Sequence, residues 1–388
     1  MKDEPVSPVA ESGATDFGPF DSRIWFNCAH QGPLPNVAVT ALREALTWKI
    51  APYRIKDEMF SSTPQRLKTL LGKLIGVPGD QIILGNSASY GLHILANGIR
   101  WKSGDEVLLV EGDFPASIFP WLNLRNNRGV LVRSIKPHRA VLQDWELEAA
   151  VTPATKLFCA TWVDSFTGHV IDLSALGEIC RAKNILFVVN ASQGLGAREL
   201  NVGKIKLDAL TSCGYKWLCG PYGTGFCWIR PALRDSLSPC QSYWFPAVWG
   251  RNPGAMRDWV IPEGLGAAAY DVFCTANFFN FVPWGAAIEY WLSKGIPRIQ
   301  SHNDALAQRL IGGLDPKKYT LFSPEAGSER SAIVVLSHSH SSLNHGIRAK
   351  LAEAGIDLSL RENNLRFSLH FFNTYQEVDY ALAVLNAA

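Results

Sequence analysis

Neither sign of charge dominates this sequence: 37 Lys and Arg stand against 35 Asp and Glu, a formal net charge of +2 at pH 7. That excludes a broad basic field for nucleic acid or an anionic membrane, so any anion must be met locally. Also missing is an apolar run of the roughly 20 residues that a bilayer span needs. The stretch from Met1 to Phe17 opens with Lys2-Asp3-Glu4 and then runs largely to Pro, Ser, Ala and Gly, without the basic start and apolar core of a secretory signal. Cys28, Cys159, Cys180, Cys213, Cys219, Cys227, Cys240 and Cys274 are scattered and form no C-x-x-C pair. Several sit in apolar, strand-like runs such as Leu157 to Ala160, which reads as reduced, buried thiols in a soluble cytoplasmic protein. No internal repeat is visible, and no low-complexity block beyond the N-terminal tail.

What is present suits a compact globular protein. Hydrophobic residues make up 47% and charged residues 19%, enough apolar surface for a core and too much for disorder. At 388 residues the chain exceeds one small core, so a large α/β domain with a smaller second domain is the expectation. Short apolar or β-branched runs recur at Gln81 to Gly85, Glu106 to Val110, Val130 to Ser134, Lys156 to Thr161, Ile185 to Val189, Ala209 to Ser212 and Gly225 to Ile229. Amphipathic stretches between them, such as Tyr90 to Ile99 and Leu173 to Ala182, read as helices, giving the βαβ rhythm of a mostly parallel sheet. After about Phe281 the pattern becomes helical at Trp284 to Lys294 and Pro297 to Ile311. Short strands follow around Tyr319 to Phe322, Ser331 to Leu336 and Leu365 to His370, the pattern of a separate α+β domain. The expected division is an N-terminal tail and joining segment over 1–37, a large domain over 38–290 and a small domain over 291–388.

Two stretches carry chemistry. Phe187 to Gly194 is a buried strand ending in the polar residues Asn190, Ser192 and Gln193, where an open α/β sheet places its ligand. Downstream, Thr211-Ser212-Cys213-Gly214-Tyr215-Lys216-Trp217-Leu218-Cys219-Gly220-Pro221-Tyr222-Gly223-Thr224-Gly225 sets one lysine among apolar and glycine-rich neighbours. Desolvation there lowers the amine's pKa and favours attack on an aldehyde. Upstream, Leu84-Gly85-Asn86-Ser87-Ala88-Ser89-Tyr90-Gly91-Leu92 is a strand-to-helix turn of small and hydroxyl residues. It reads either as an ordinary N-cap or as a phosphate cradle built from first-turn N–H groups.

Together these motifs resemble, nearly end to end, the class V aminotransferase family of fold type I pyridoxal phosphate enzymes, which includes cysteine desulfurases, kynureninases and isopenicillin N epimerase-like proteins. In that family an acidic residue, Ala and Gln close a strand, then a Ser-x-His-Lys element follows, then a Gly-Pro-x-Gly-x-Gly loop. The spacing from Asn190 to Lys216 and the Gly220-Pro221-Tyr222-Gly223-Thr224-Gly225 loop match. The resemblance implies that Lys216 holds pyridoxal 5'-phosphate as a Schiff base and later moves protons at the substrate α-carbon. Ser87, Ala88 and Ser89 would hold the phosphate. Phe114, in Glu111 to Trp121, would lie on the pyridine ring, a plain core phenylalanine being the alternative. Ser165, in Trp162 to Gly168, and Gln193 would meet the phenolic oxygen or, for Ser165, the substrate. Tyr215 stands where a phosphate-binding His is common and Cys213 where Ser is common. Thr275, in Phe273 to Asn277, would reach the other subunit's phosphate, making a homodimer the functional unit. Arg366, in Asn364 to Thr374, would bind the substrate carboxylate with its bidentate fork. His30 and Gln31, in Asn27 to Pro35, would border the substrate. No metal, nucleic acid or membrane is implied.

The chain departs from the pattern at two places. Asn190 replaces the carboxylate that the family sets against the pyridine nitrogen. An amide supplies no charge, and could accept a hydrogen bond from a protonated nitrogen or donate one to a neutral nitrogen. Gly355 to Asn364 lacks the sulfur-accepting Cys of desulfurases, which disfavours persulfide transfer. The expected activity is therefore aminotransferase-like or side-chain (C–S) lyase chemistry on an α-amino acid or amino-acid conjugate. Epimerisation and decarboxylative or oxidative deamination are alternatives, and a non-catalytic cofactor-binding sensor or scaffold is the contrasting class.

Overall fold

A computed structural model describes residues 12–245, 263–325 and 327–388, so residues 1–11 of the N-terminal tail lie outside the described residues. In chain order the strands are β1 (Ile24–Trp25), β2 (Ile82–Gly85), β3 (Glu106–Val110), β4 (Leu131–Ile135), β5 (Thr155–Thr161), β6 (Leu186–Asn190), β7 (Ala209–Cys213), β8 (Gly225–Ile229), β9 (Tyr319–Leu321), β10 (Ile333–His338), β11 (Ile356–Asp357), β12 (Ser359–Arg361) and β13 (Asn364–Ser368). β2 to β10 and β13 match the sequence expectations to within a few residues at each end, whereas the short strands β1, β11 and β12 were not expected.

Strands β2 to β8 form one seven-stranded sheet in the order β2-β8-β7-β6-β5-β3-β4. Neighbours from β7 to β4 are parallel, while β8 runs antiparallel to β2 and β7. Strands β2, β7 and β8 are buried along their whole length, which explains why they read as apolar runs and not as alternating ones: both faces are covered. One apolar core gathers on each face, with Leu84, Phe158, Phe187 and Leu210 on one and Ile83, Leu157, Cys159 and Val188 on the other.

Between strands, the helix Ala88–Gly98 follows β2, and Leu173–Ala182 is capped by Asp172, whose carboxylate accepts from the Ser174 and Ala175 N–H groups. The helix expected from Trp284 begins at Phe278, capped by Asn277. Pro283 sits inside it, in the second turn, without ending it, withholding one i→i−4 donor from the preceding turn.

The C-terminal part packs a four-stranded antiparallel sheet, β12-β13-β10-β9, with the helices Ile296–Gly312, Asn344–Glu353 and Tyr375–Ala387 around Phe26, Leu336, Phe367 and Leu382. The N-terminal segment joins this side: β1 pairs in parallel with β11. Among the described residues, no helix is long and apolar enough to cross a membrane.

The site follows from sheet register. Thr161 at the end of β5 lies opposite Asn190 at the end of β6, which lies opposite Thr211 of β7. Parallel strands deliver these ends to one edge, and antiparallel β8 begins there, with Gly225 opposite both Gly85 and Cys213. Polar strand ends converge where an open α/β sheet binds ligands.

Candidate active site

Lys216 lies in the turn between β7 and β8, in a cavity it shares with Ser87, Ala88, Ser89, Phe114, Ser165, Asn190, Gln193, Cys213 and Tyr215. Sequence reading had singled out each of these. The lysine is 8% exposed, and its Nζ stands 5.3 Å from the Phe114 ring centroid and 6.0 Å from that of Tyr215. Among the described residues Nζ has no hydrogen-bond partner. Burial lowers its pKa, the Arg366 and Arg361 charges lower it further, and Cys213 opposes them.

The turn is braced from behind. The Gly32 N–H donates to the Tyr215 carbonyl at 2.8 Å, and a Cβ on Gly32 would lie 2.0 Å from the Lys216 carbonyl oxygen. Only glycine lets the 27–35 segment approach this closely. The buried Cys28, Cys219 and His370 also cluster behind the lysine, with ligand-type atoms within 4.8 Å of one another. Both His370 ring nitrogens already have partners there, the Trp217 carbonyl at 3.0 Å and the Asn303 amide at 3.5 Å.

Two places in or beside the cavity call for an anion. The first is the start of the helix Ala88–Gly98. Its N-cap, Ser87, turns its hydroxyl to the Asn86 side chain at 3.0 Å and does not cap the helix, which leaves first-turn N–H groups for a ligand. The turn lies tight against β8, because a Cβ on Gly225 would come within 2.6 Å of the Ser87 backbone.

The second place is Arg366 on β13, 2% exposed. Its Nη1 donates to the Ser165 carbonyl at 3.1 Å, but Nε and Nη2 are buried without a partner and no carboxylate pairs with it among the described residues. Burial and the neighbouring Arg361 push its pKa down to about 10. A guanidinium in this state is poised for a carboxylate.

Gln193 is more committed than the sequence implies. Its Nε2 donates to the Ala29 carbonyl at 3.1 Å and to Ser165 Oγ at 3.2 Å, and its Oε1 accepts from Trp217 Nε1 at 2.8 Å. Both amide hydrogens are therefore spent inside the protein. Ser165, accepting from Gln193, keeps its own O–H for a ligand.

Asn190 is similarly held: Oδ1 accepts from the Ser192 N–H at 3.1 Å and the Ser192 hydroxyl at 2.7 Å, and Nδ2 donates to Ser117 Oγ at 3.0 Å. Beyond Ser117 come Thr161 Oγ1 at 3.1 Å and then the buried Asp113 carboxylate, which also accepts from the Thr161 N–H at 3.0 Å. Burial pushes Asp113 up to about 6 against the pull of these donors. Sequence reading missed Asp113, Ser117 and Thr161 as site residues. The one available signal was the place of Asp113 directly before Phe114.

The remaining candidates lie around this centre. Cys213 ends β7 and donates its backbone N–H to Ser192 Oγ at 3.2 Å. Tyr215 packs on Tyr222 with ring centroids 4.7 Å apart, and burial raises its pKa. His30 and Gln31 are exposed at the rim, where burial and the charges of Arg361, Arg366 and Lys216 lower the His30 pKa. Thr275 is buried beside Tyr243 and does not line the Lys216 cavity within this chain.

The residues present fit pyridoxal phosphate: an uncapped helix start for the phosphate, an aromatic ring beside a desolvated lysine, and an unspent Ser165 O–H and Asn190 N–H for the polar edge of the ring.

Comparison with known proteins agrees with this geometry. The family model described as aminotransferase class-V matches residues 56–381. A probable cysteine desulfurase of Methanothermobacter thermautotrophicus is 27% identical over 337 residues, spanning 81% of this chain and 80% of the relative. An isopenicillin N epimerase of Streptomyces clavuligerus is 24% identical over 377 residues, spanning 93% and 94%. Among solved structures, a lysine-to-alanine mutant of the cystine C–S lyase C-DES, with glycine covalently linked to its pyridoxal phosphate cofactor, shares the fold. Its TM-score is 0.87 at 19% identity, covering 96% of this chain and 98% of that one.

Proposed function

The chain belongs to the class-V aminotransferase family, and from that premise we propose that it is a pyridoxal phosphate-dependent enzyme acting on an α-amino acid or amino-acid conjugate, by aminotransferase-like or C–S lyase chemistry. The observation that carries this reading is a desolvated Lys216 amine, without a hydrogen-bond partner among the described residues, beside two candidate anion sites: the uncapped helix start at Ala88 for a phosphate, and Arg366 for a carboxylate. A protein that used the fold only as a scaffold would gain nothing from leaving a buried guanidinium unpaired.

When bound, pyridoxal phosphate supplies an aldehyde for amines and a ring that withdraws electrons from the substrate α-carbon. The chain's own residues do the rest. Lys216, neutral at lower pH than a free lysine, holds the cofactor and, once displaced, carries a proton to or from the α-carbon. Arg366 would hold the α-carboxylate through Nε and Nη2, orienting the substrate. The Ser165 hydroxyl, oriented by Gln193, would donate to the phenolic oxygen. Phe114 would cover one ring face and exclude water, and Asn190 would meet the ring nitrogen. Cys213 and Tyr215 flank the lysine turn, and His30 and Gln31 border the substrate's side chain.

Thr275, buried yet outside its own chain's cavity, is the residue we assign to the partner subunit's phosphate, which makes a homodimer the working unit. We also assign the enzyme to the cytoplasm, as its free, mostly buried thiols suit a reducing compartment.

Lyase chemistry is the outcome we favour, because cysteine desulfurases and a C–S lyase recur among the relatives. Residues 355–364 carry no cysteine to accept sulfur, so the sulfur leaves on a small-molecule product. The test is to incubate the holoenzyme with amino acids and cysteine S-conjugates and identify products by mass spectrometry. A keto acid with ammonia and a thiol supports elimination, and a keto acid with aminated cofactor supports transamination. Inverted substrate alone would favour epimerisation, and no product from any substrate would overturn the enzymatic reading.

A further inference from the structure

Asn190 has an orientation that its own hydrogen bonds fix. A backbone N–H can only donate, so the contact from Ser192 N at 3.1 Å identifies the acceptor atom of the amide as Oδ1. The Ser192 hydroxyl is equally determined: its oxygen accepts from the Cys213 backbone N–H at 3.2 Å, and its proton goes to Asn190 Oδ1 at 2.7 Å. Both lone pairs of Oδ1 are thus filled. Nδ2 faces the other way and gives one hydrogen to Ser117 Oγ at 3.0 Å. The second hydrogen has no partner among the described residues, and Asn190 lines the Lys216 cavity.

The chain beyond Ser117 has one direction as well. Asp113 receives the Phe114 N–H at 2.5 Å, the Thr161 N–H at 3.0 Å and the Thr161 hydroxyl, so its carboxylate is an acceptor at every contact. Thr161, having given its proton to Asp113, accepts from Ser117 at 3.1 Å, and Ser117 then accepts from Asn190. Every donor from the Asn190 amide onward points toward one buried carboxylate. Strand pairing holds the two ends together, since Thr161 and Asn190 are register partners.

We propose that Asp113, Thr161 and Ser117 form a positioning relay that presents an Asn190 N–H, and not its carbonyl, to the cofactor ring nitrogen, so that the enzyme works with that nitrogen unprotonated. The proposal rests on the reading of the site as a pyridoxal phosphate site. Its consequence is chemical: an unprotonated ring nitrogen withdraws electrons from the α-carbon more weakly than a protonated one. Asp113 supplies its charge to the orientation of an amide and not to the ring, which is how a carboxylate can sit close to this site without acting as the ring's counter-ion.

The test is the ¹⁵N resonance of the ring in full-length holoenzyme loaded with ring-¹⁵N pyridoxal phosphate, which reads protonation directly and needs no turnover. In the wild-type protein the expected signal is that of an unprotonated pyridine nitrogen, and in Asn190→Asp it moves to the protonated range. Thr161→Val keeps the shape but removes the acceptor of the Ser117 proton, which then competes with Ser192 for Asn190 Oδ1, and is expected to shift or broaden the signal. A protonated nitrogen in the wild type overturns the proposal, and an unaltered sharp signal in Thr161→Val overturns the relay. A parallel borohydride-treated sample separates the two readings: no cofactor fixed to the protein means the cofactor assignment itself has failed, whereas a fixed cofactor with a protonated ring nitrogen rejects only the inference drawn here.

Discussion

The Arg366 guanidinium donates to the Ser165 carbonyl at 3.1 Å and, among the described residues, keeps Nε and Nη2 buried without partners, so the residue proposed for the substrate carboxylate is held by the residue proposed to meet the cofactor. Ser165 is in turn held by Gln193, whose oxygen accepts from Trp217 next to the lysine. Arg366 and the lysine turn are therefore linked through a short run of buried hydrogen bonds.

An unpaired buried charge costs stability in the free protein and is offset only when an anion arrives. Replacing Arg366→Met is expected to raise the melting temperature of the unliganded protein. The same change should lower kcat/KM by about 30- to 150-fold, the loss of roughly 2–3 kcal/mol of charge-assisted hydrogen bonding to the α-carboxylate. Thermal scans with and without amino acid, beside steady-state kinetics, check both halves. A variant that is less stable and kinetically normal would contradict the role.

At the phosphate end, steric contact decides. A Cβ at residue 225 would meet the Ser87 backbone at 2.6 Å, so Gly225→Ala must displace the turn that offers its N–H groups. Cofactor affinity is expected to fall by roughly tenfold or more, equivalent to about 1.4 kcal/mol, with little change in the secondary structure. Equilibrium titration of the apoprotein with pyridoxal phosphate measures it; an unchanged dissociation constant would place the phosphate elsewhere.

The Asp113 carboxyl should leave a signature in the pH dependence of stability. Its pKa rises from 3.8 to about 6 on folding, chiefly through burial. The folded state thus holds this proton more tightly than the unfolded chain does. The cost of carrying the charge is absent below the unfolded pKa and fully present above the folded one. Between the two the group stabilises the fold progressively as pH falls, by on the order of 3 kcal/mol at most. The denaturation midpoint of Asp113→Asn minus that of wild type is expected to grow as pH rises through that window. A pH-independent difference would show that the carboxyl does not titrate there.

Much of this site was legible because it depends on local sequence. Lys216 stands out as a charge within an apolar, glycine-rich loop, and the Ser87 turn as small residues between a strand and a helix; both gather in the cavity where they were expected. The sheet was legible for a related reason: strands buried on both faces read as uninterrupted apolar runs. What could not be read was anything set by the pairing of distant strands. Asp113 meets Thr161 across the turn after β3 and the end of β5, and Ser117 meets Asn190 from a third element; no periodicity links those positions. Nor could the sequence tell that Gln193 spends both amide hydrogens on Ala29 and Ser165, since one of its partners comes from the N-terminal segment folded back over the site. Asn190 alone left two hydrogen-bond roles open; Ser192 and Ser117 together leave one.

The central claim is that Lys216 carries the cofactor, and mapping of the borohydride-reduced linkage tests it most directly. Protein incubated with pyridoxal phosphate, reduced, digested and analysed by mass spectrometry should carry the pyridoxyl adduct on the peptide containing Lys216, and Lys216→Ala should carry none. An adduct on another lysine, or an undiminished adduct in Lys216→Ala, would contradict the account.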